Sequence, residues 1–300
     1  MVCIGAMTKR MFILCVVGIM AFGKGRALTP DPPIAPKFEV RLEKNLRVKM
    51  RDGTRLALDV YMPDVAGRRW PVLLQQTPYD KNTWRGENGD FLTLAEQGFA
   101  VVVMDIRGTF RSEGKFEWGS DRMVTDSLDT LSWLASQPWS NGNLGTFGCS
   151  AQGHIEAAVA PHGHPSLKAM VIGSPGYFGL QRPWYGPWFT NGILRLSNAL
   201  SWNYAFGQTV TYQPPANLGD EDFARLADEF SPHPTLPEVD FKPVFSTLPI
   251  IDMMDRVPPT STDWRSKVIQ REVPLSVGFT SRSVMAAPAI WINSWHDPSV

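Results

Sequence analysis

The stretch Phe99 to Ile106, FAVVVMDI, constrains this chain more than any other part of it. It is almost wholly apolar and β-branched, as expected of a strand covered on both faces. Pro71 to Thr77 (PVLLQQT), Leu144 to Cys149 and Leu167 to Ile172 (LKAMVI) read as further short strands. Helical segments lie between them. Phe91 to Gln97 is a short one, ended by Gly98. Met123 to Ser136 carries Val124, Leu128, Leu131 and Leu134 at helical spacing, and Ala151 to Ala160 follows the next strand directly. Strand, helix, strand, helix, strand in that order means parallel strands joined by crossover helices. Before them, Val40 to Met50 and Arg55 to Tyr61 flank Asp52-Gly53, a dipeptide suited to the positive φ of a tight hairpin turn. The expected fold class is α/β: a mostly parallel sheet with an antiparallel N-terminal hairpin. Such sheets place ligand chemistry at the carboxyl ends of their strands.

The chain of 300 residues carries 29 basic and 29 acidic side chains. A balanced charge supplies no field to gather nucleic acid, so a nucleic-acid partner is excluded. At the N-terminus, Lys9 and Arg10 precede the apolar run Met11 to Phe22, and the small residues Gly25 and Ala27 follow. That pattern reads as a secretory signal peptide over 1–27, and the run is shorter than the about 20 apolar residues a membrane span needs. A secreted or periplasmic protein with no stable membrane span after cleavage is expected. Cys3 and Cys15 fall in the leader, which leaves Cys149 alone. One cysteine forms no internal disulfide and no Cys-rich metal site. A Pro-rich linker, 28–38, leads into the fold. After Tyr177 the chain becomes dense in Trp, Tyr, Pro and Gly. Asn191 to Ala205 and Asp220 to Phe230 read there as helices of an insertion over the sheet, before Pro288 to Trp295 returns to strand.

The chemistry centres on Gly148-Cys149-Ser150-Ala151-Gln152-Gly153, entered by a strand and left by a helix. A sharp strand-to-helix turn exposes the serine hydroxyl at the sheet edge. It also aims the N–H of the next residue, Ala151, at a reacting carbonyl oxygen. The glycine usual two residues after such a serine is absent; Gln152 stands there and Gly153 follows. As a plain helix N-cap, Ser150 would need no catalytic role. The context favours the nucleophile. Asp105, Arg107 and Glu113 read instead as a structural ion-pair and turn network.

Four segments in order carry a resemblance: MRDGTRLALDVYMP (Met50 to Pro63), TPYDK (Thr77 to Lys81), DIRGTFRSEG (Asp105 to Gly114) and QPWSNGNLGTFGCSAQG (Gln137 to Gly153). Together they resemble the family of Xaa-Pro dipeptidyl-peptidases, cocaine esterase and α-amino-acid ester hydrolases, the CocE/NonD-type α/β-hydrolases. A weaker match returns at Ile290 to Asp297. The resemblance implies an α/β-hydrolase fold with a helical cap and a C-terminal jelly-roll domain, the last absent from this sequence. The divisions it suggests are hydrolase core over 39–177, cap insertion over 178–287 and a return to the core over 288–300. It implies a serine acyl hydrolase acting on a small-molecule or peptide substrate, with no metal or organic cofactor. Ser150 matches the nucleophile and Asp297 the triad acid. Tyr79 matches a tyrosine that helps hold the oxyanion beside the Ala151 N–H. The family usually has Tyr after its nucleophile, so Ala151 departs from it and is expected to reshape the acyl pocket. Trp184, Trp188 and Trp202 suit an apolar or aromatic acyl pocket, and aromatic packing alone explains them equally well.

Of His154, His162, His164, His233 and His296, none follows Asp297, whereas the triad order in this fold is serine, acid, histidine. No base is therefore assigned. The histidine and jelly-roll are expected beyond Val300. Loss of the histidine from such a triad costs on the order of a million-fold in turnover, so these 300 residues alone are expected to hydrolyse little. A non-catalytic remnant or binding domain is the alternative.

Overall fold

The computed structural model describes residues 34–84, 90–117, 120–175, 189–190, 193–194, 196, 218–228, 241–249, 252 and 287–292. The signal peptide expected over 1–27 lies outside them, as do His233, His296, Asp297 and the three tryptophans named above. Among the described residues no helix is long and apolar enough to cross a membrane.

Seven strands form one sheet. In chain order they are β1 (Val40–Lys49), β2 (Arg55–Pro63), β3 (Trp70–Thr77), β4 (Ala100–Asp105), β5 (Ser140–Cys149), β6 (Leu167–Gly173) and, after a two-strand hairpin described below, β9 (Ala289–Ile292). Across the sheet the order is β1-β2-β4-β3-β5-β6-β9. The first two pairings are antiparallel and the rest parallel. The hairpin turns at Gly53, whose φ of 90° only a glycine adopts readily. Between Glu43 and Leu46, β1 bulges. Asn45 sits in the bulge at φ 55°, which turns its side chain into the protein.

Helices cover both faces. On one face α1 (Asp90–Glu96) packs Phe91 and Ala95 against Tyr61, Val101 and Val103. On the other lie α2 (Asp121–Ser136) and α3 (Ala151–Val159). Leu131 and Leu134 of α2 and Ala157 and Val159 of α3 join Leu58, Leu74 and Val102 of the sheet in one core. Each buried leucine there contributes about 1.5–3 kcal/mol. The helix α2 stops at Gln137, which is extended because Pro138 disfavours helical backbone in the residue before it.

The insertion differs in part from the reading as two helices. Phe189–Thr190 (β7) pairs antiparallel with Ile193–Leu194 (β8), the latter within the stretch expected to be helical from Asn191 to Ala205, most of which lies outside the described residues. The dipeptide between the two strands is Asn191-Gly192, a strong hairpin signal that outweighs the helical spacing of the apolar residues. Two helices follow, α4 (Asp220–Leu226) and α5 (Phe241–Phe245). The wholly buried Phe223 of α4 packs on Ala57 of β2, and the Arg47 guanidinium lies 4.5 Å from the centre of its ring.

Charged side chains hold the loop after β4. Arg107 reaches Asp126 of α2 at 2.7 Å and Asp52 of the hairpin turn at 2.9 Å. The guanidinium holds the Asp52 carboxyl down at about 2, whereas burial raises that of Asp126. Glu113 pairs with Arg55 at 2.6 Å. Arg107→Met leaves Asp126 buried beside an apolar chain, and the cost is expected to be about 3–5 kcal/mol in urea denaturation. Adding Asp126→Leu is expected to recover part of that loss; an unchanged midpoint for Arg107→Met would contradict the assignment.

Candidate active site

The turn from β5 into α3 holds an exposed residue in a strained conformation. Ser150 has φ 60° and ψ −126°, outside the regions open to ordinary L-residues. A conformation of this kind costs about 1–3 kcal/mol and persists only where the surroundings impose it. They do so here. The Ser150 N–H donates to the Gly173 carbonyl at 3.0 Å, and its own carbonyl accepts from the His154 N–H at 2.9 Å. A Cβ on Gly148 would lie 2.6 Å from the Gln152 Cβ, and one on Gly153 would lie 2.4 Å from the Gly173 carbonyl oxygen. The close helix-to-sheet approach therefore falls at Gly153, three residues after the serine, and not at Gln152.

Ser150 occupies the cap position of α3, yet its hydroxyl makes no cap hydrogen bond. Its φ is also not that of an ordinary N-cap, which sits in the extended region. The residue is exposed, and Oγ lies 3.4 Å from the Tyr79 hydroxyl. The next residue, Ala151, opens α3. The first N–H groups of a helix have no acceptor within it, so this one is oriented for an anion at the same point.

Tyr79 stands on the loop that leaves β3. Its N–H donates to Thr77 Oγ1 at 2.9 Å, and the Gln152 amide donates to that same oxygen at 3.2 Å. Gln152 thus fills the position of the missing glycine with a strut. Its amide also meets Gln75 at 3.3 Å, so the serine turn is tied to the end of β3. After Tyr79 comes Asp80, with φ 69°, and then Lys81, which is wholly buried. The ammonium donates to Asp59 at 2.7 Å, Asn45 at 2.6 Å and Asn82 at 3.1 Å. The Lys81 N–H donates to Asp105 at 2.7 Å. Burial pushes the Asp105 carboxyl up to about 7, against the pull of Lys81. Residue type alone gave no sign of Asn45, Asp59, Lys81 or Gln152 as parts of the site. The signals available were a lysine directly after Thr-Pro-Tyr-Asp and a glutamine where a glycine was due.

None of the described histidines bonds Ser150 through its ring. The imidazole of His154 donates to the Pro175 carbonyl, and burial pushes it down to about 3. His164 is engaged by Ser132 at 3.1 Å and by the Ser166 N–H at 3.2 Å. Glu156 lies under the turn, with Oε2 accepting from Thr146 at 2.7 Å, and burial raises its carboxyl well above the usual range. Asp297 is not among the described residues. The strand before it, β9, ends with Ile292 paired to Gly173, at the same sheet edge as the serine turn.

His154 carries a consequence for pH. Its folded pKa of about 3 lies below the ordinary 6.5, so between those values the unfolded chain binds a proton that the fold refuses. Its contribution to stability is complete above pH 6.5 and declines as pH falls toward 3. In urea melts at pH 7 and pH 4, His154→Gln is expected to lose less stability than the wild type, by roughly 3 kcal/mol. Equal losses in the two proteins would contradict this.

Comparison with known proteins agrees with this geometry. The chain is 33% identical over 263 residues to cocaine esterase from Rhodococcus sp. (strain MB1 Bresler), covering 84% of this chain and 43% of that protein. It therefore spans less than half the length of this curated relative. Among solved structures, a CocE/NonD family hydrolase from Staphylococcus aureus superposes with a TM-score of 0.50 at 26% identity, over 63% of this chain and 36% of that one. An aminopeptidase from a marine sediment archaeon, Thaumarchaeota archaeon, shares the fold with a TM-score of 0.50 at 23% identity, over 68% of this chain and 38% of its own. The family described as X-Pro dipeptidyl-peptidase (S15 family) matches residues 52–300. The sheet order, the serine turn and these matches agree: the chain belongs to the X-Pro dipeptidyl-peptidase (S15) family of α/β-hydrolases.

Proposed function

We propose that the protein is a serine acyl hydrolase that cleaves ester or amide bonds through an acyl-enzyme on Ser150. The observation that carries this is the strained, exposed Ser150 with its hydroxyl free of the cap and 3.4 Å from that of Tyr79. In the reaction, Oγ attacks the substrate carbonyl carbon and gives its proton to a histidine base. The carbonyl oxygen becomes an oxyanion, held by the Tyr79 hydroxyl and the Ala151 N–H. As the tetrahedral intermediate collapses, the bond to the alcohol or amine breaks and the leaving group takes the proton. Water then attacks the acyl-enzyme by the same route in reverse. Asp297 is the acid proposed to orient the base, and in the chain order of this fold the base follows it. None of these steps calls on a metal or an organic cofactor.

Membership of a family that includes esterases and peptidases supports the reaction class. The choice between ester and Xaa-Pro amide belongs to the acyl and leaving-group pockets. The substitution of Ala151 for the family's usual tyrosine removes a ring from beside the nucleophile and leaves the backbone donor in place.

The test is steady-state hydrolysis of a p-nitrophenyl ester by the full-length protein. Ser150→Ala is expected to abolish turnover. Tyr79→Phe is expected to lower kcat by about a hundredfold with KM nearly unchanged, as for loss of one oxyanion donor. Hydrolysis that survives Ser150→Ala would overturn the proposal and leave a binding module as the better reading.

A further inference from the structure

The geometry of the loop after Tyr79 points to a positioning residue in the insertion, an inference that rests on the hydrolase reading above. Asp228 lies just past α4, far in sequence from the serine turn. Its carboxylate accepts from the Asn82 side chain at 3.2 Å and from the Asn45 side chain at 3.2 Å, and lies 3.5 Å from the Arg111 guanidinium. Each of these partners leads to the tyrosine loop. Asn82 belongs to that loop. Asn45 accepts from the Lys81 ammonium at 2.6 Å, and Arg111 pairs with Asp80 at 3.1 Å. The three residues that follow Tyr79 are thus each bound to one carboxylate, directly or through one intervening side chain.

The loop needs such an anchor. Asp80 has a positive φ of 69°, a conformation that costs energy in a residue with a Cβ and that contacts around the loop help to hold. Lys81 has to bring a charge into a fully buried site, and does so only with every partner in place. The anchor is itself firmly seated. Phe223 is wholly buried on Ala57, and Arg47 holds the start of α4 through Asp220 and the Leu218 carbonyl. The helix of the insertion therefore docks on the N-terminal hairpin and fixes from there the loop that carries the oxyanion tyrosine. Asp228 acts through Tyr79 and touches no reacting atom.

The experiment is a double-mutant cycle in the full-length protein, with Asp228→Asn made in wild-type and Tyr79→Phe backgrounds. The Asp228 side chain is 35% exposed and the amide has nearly the same shape, so the fold is expected to survive. In the wild type, Asp228→Asn is expected to lower kcat about tenfold with KM within about twofold, because a misplaced donor is lost chiefly from the transition state. In the Tyr79→Phe background the same change is expected to alter kcat by less than about twofold, a coupling that a merely structural role does not give. Equal losses in both backgrounds, or no loss in the wild type, overturn the inference. Should Asp228→Asn fail to fold, Asn82→Ala, which cuts the direct link, decides by the same two criteria. Ser150→Ala, run alongside, separates the two levels. If it is inactive while Asp228→Asn is neutral, only the positioning role fails; if it stays active, the hydrolase reading fails.

Discussion

The contact between Gly153 and the Gly173 carbonyl is the constraint on which the site depends. No side chain fits there, since even a Cβ would lie 2.4 Å from a backbone oxygen that cannot yield. Because α3 can sit this low on β6, the chain reverses direction within a single residue. That residue is Ser150, and the reversal forces it to φ 60°. The same seating lets its N–H reach the Gly173 carbonyl and turns its hydroxyl away from the helix. Lifting α3 by the size of a methyl group would relax the serine into an ordinary cap and end its approach to Tyr79. The strain is offset by the burial of Ile155, Ala157, Ala158 and Val159 below it.

The opposite wall of the site is held by charge, not by packing. Lys81, Asp59, Asp105, Asp80 and Arg111 gather where β3 and β4 end, and most of them are buried. Burial of this kind gives little net stability, because desolvation consumes most of the attraction. What it gives is direction. Hydrogen bonds to ions are short and oriented, so a loop tied by several of them has one conformation. Thr77 joins the two walls, since its hydroxyl accepts from both the Tyr79 N–H and the Gln152 amide. Ser150 and Tyr79 are therefore positioned by one connected framework.

The sheet was legible because its signal is local. The short, β-branched run FAVVVMDI is the pattern expected of a doubly covered strand, and the observed β4 spans Ala100–Asp105 within it. The hairpin at Asp52-Gly53 and the serine turn are equally local. The framework around the site was not legible. Asn45 and Lys81 are 36 residues apart, and Asn45 and Asp228 are 183 apart. No periodicity links such positions; only the bulge in β1 and the docking of α4 bring them together. Gln152, where the serine motif usually has glycine, carries no local sign that its side chain supplies a strut. At Asn191-Gly192 two local signals compete, the turn dipeptide and the helical spacing of the apolar residues after it.

If Ser150 carries the acyl group during turnover, the acyl-enzyme can be trapped on it. The full-length protein would be mixed with excess p-nitrophenyl ester, quenched in acid within milliseconds, digested, and its peptides weighed. The expected result is the mass of one acyl group on the peptide that contains Ser150, formed in a burst with nitrophenol release. Rapid turnover with that peptide unmodified, or with the acyl group on another side chain, would contradict it.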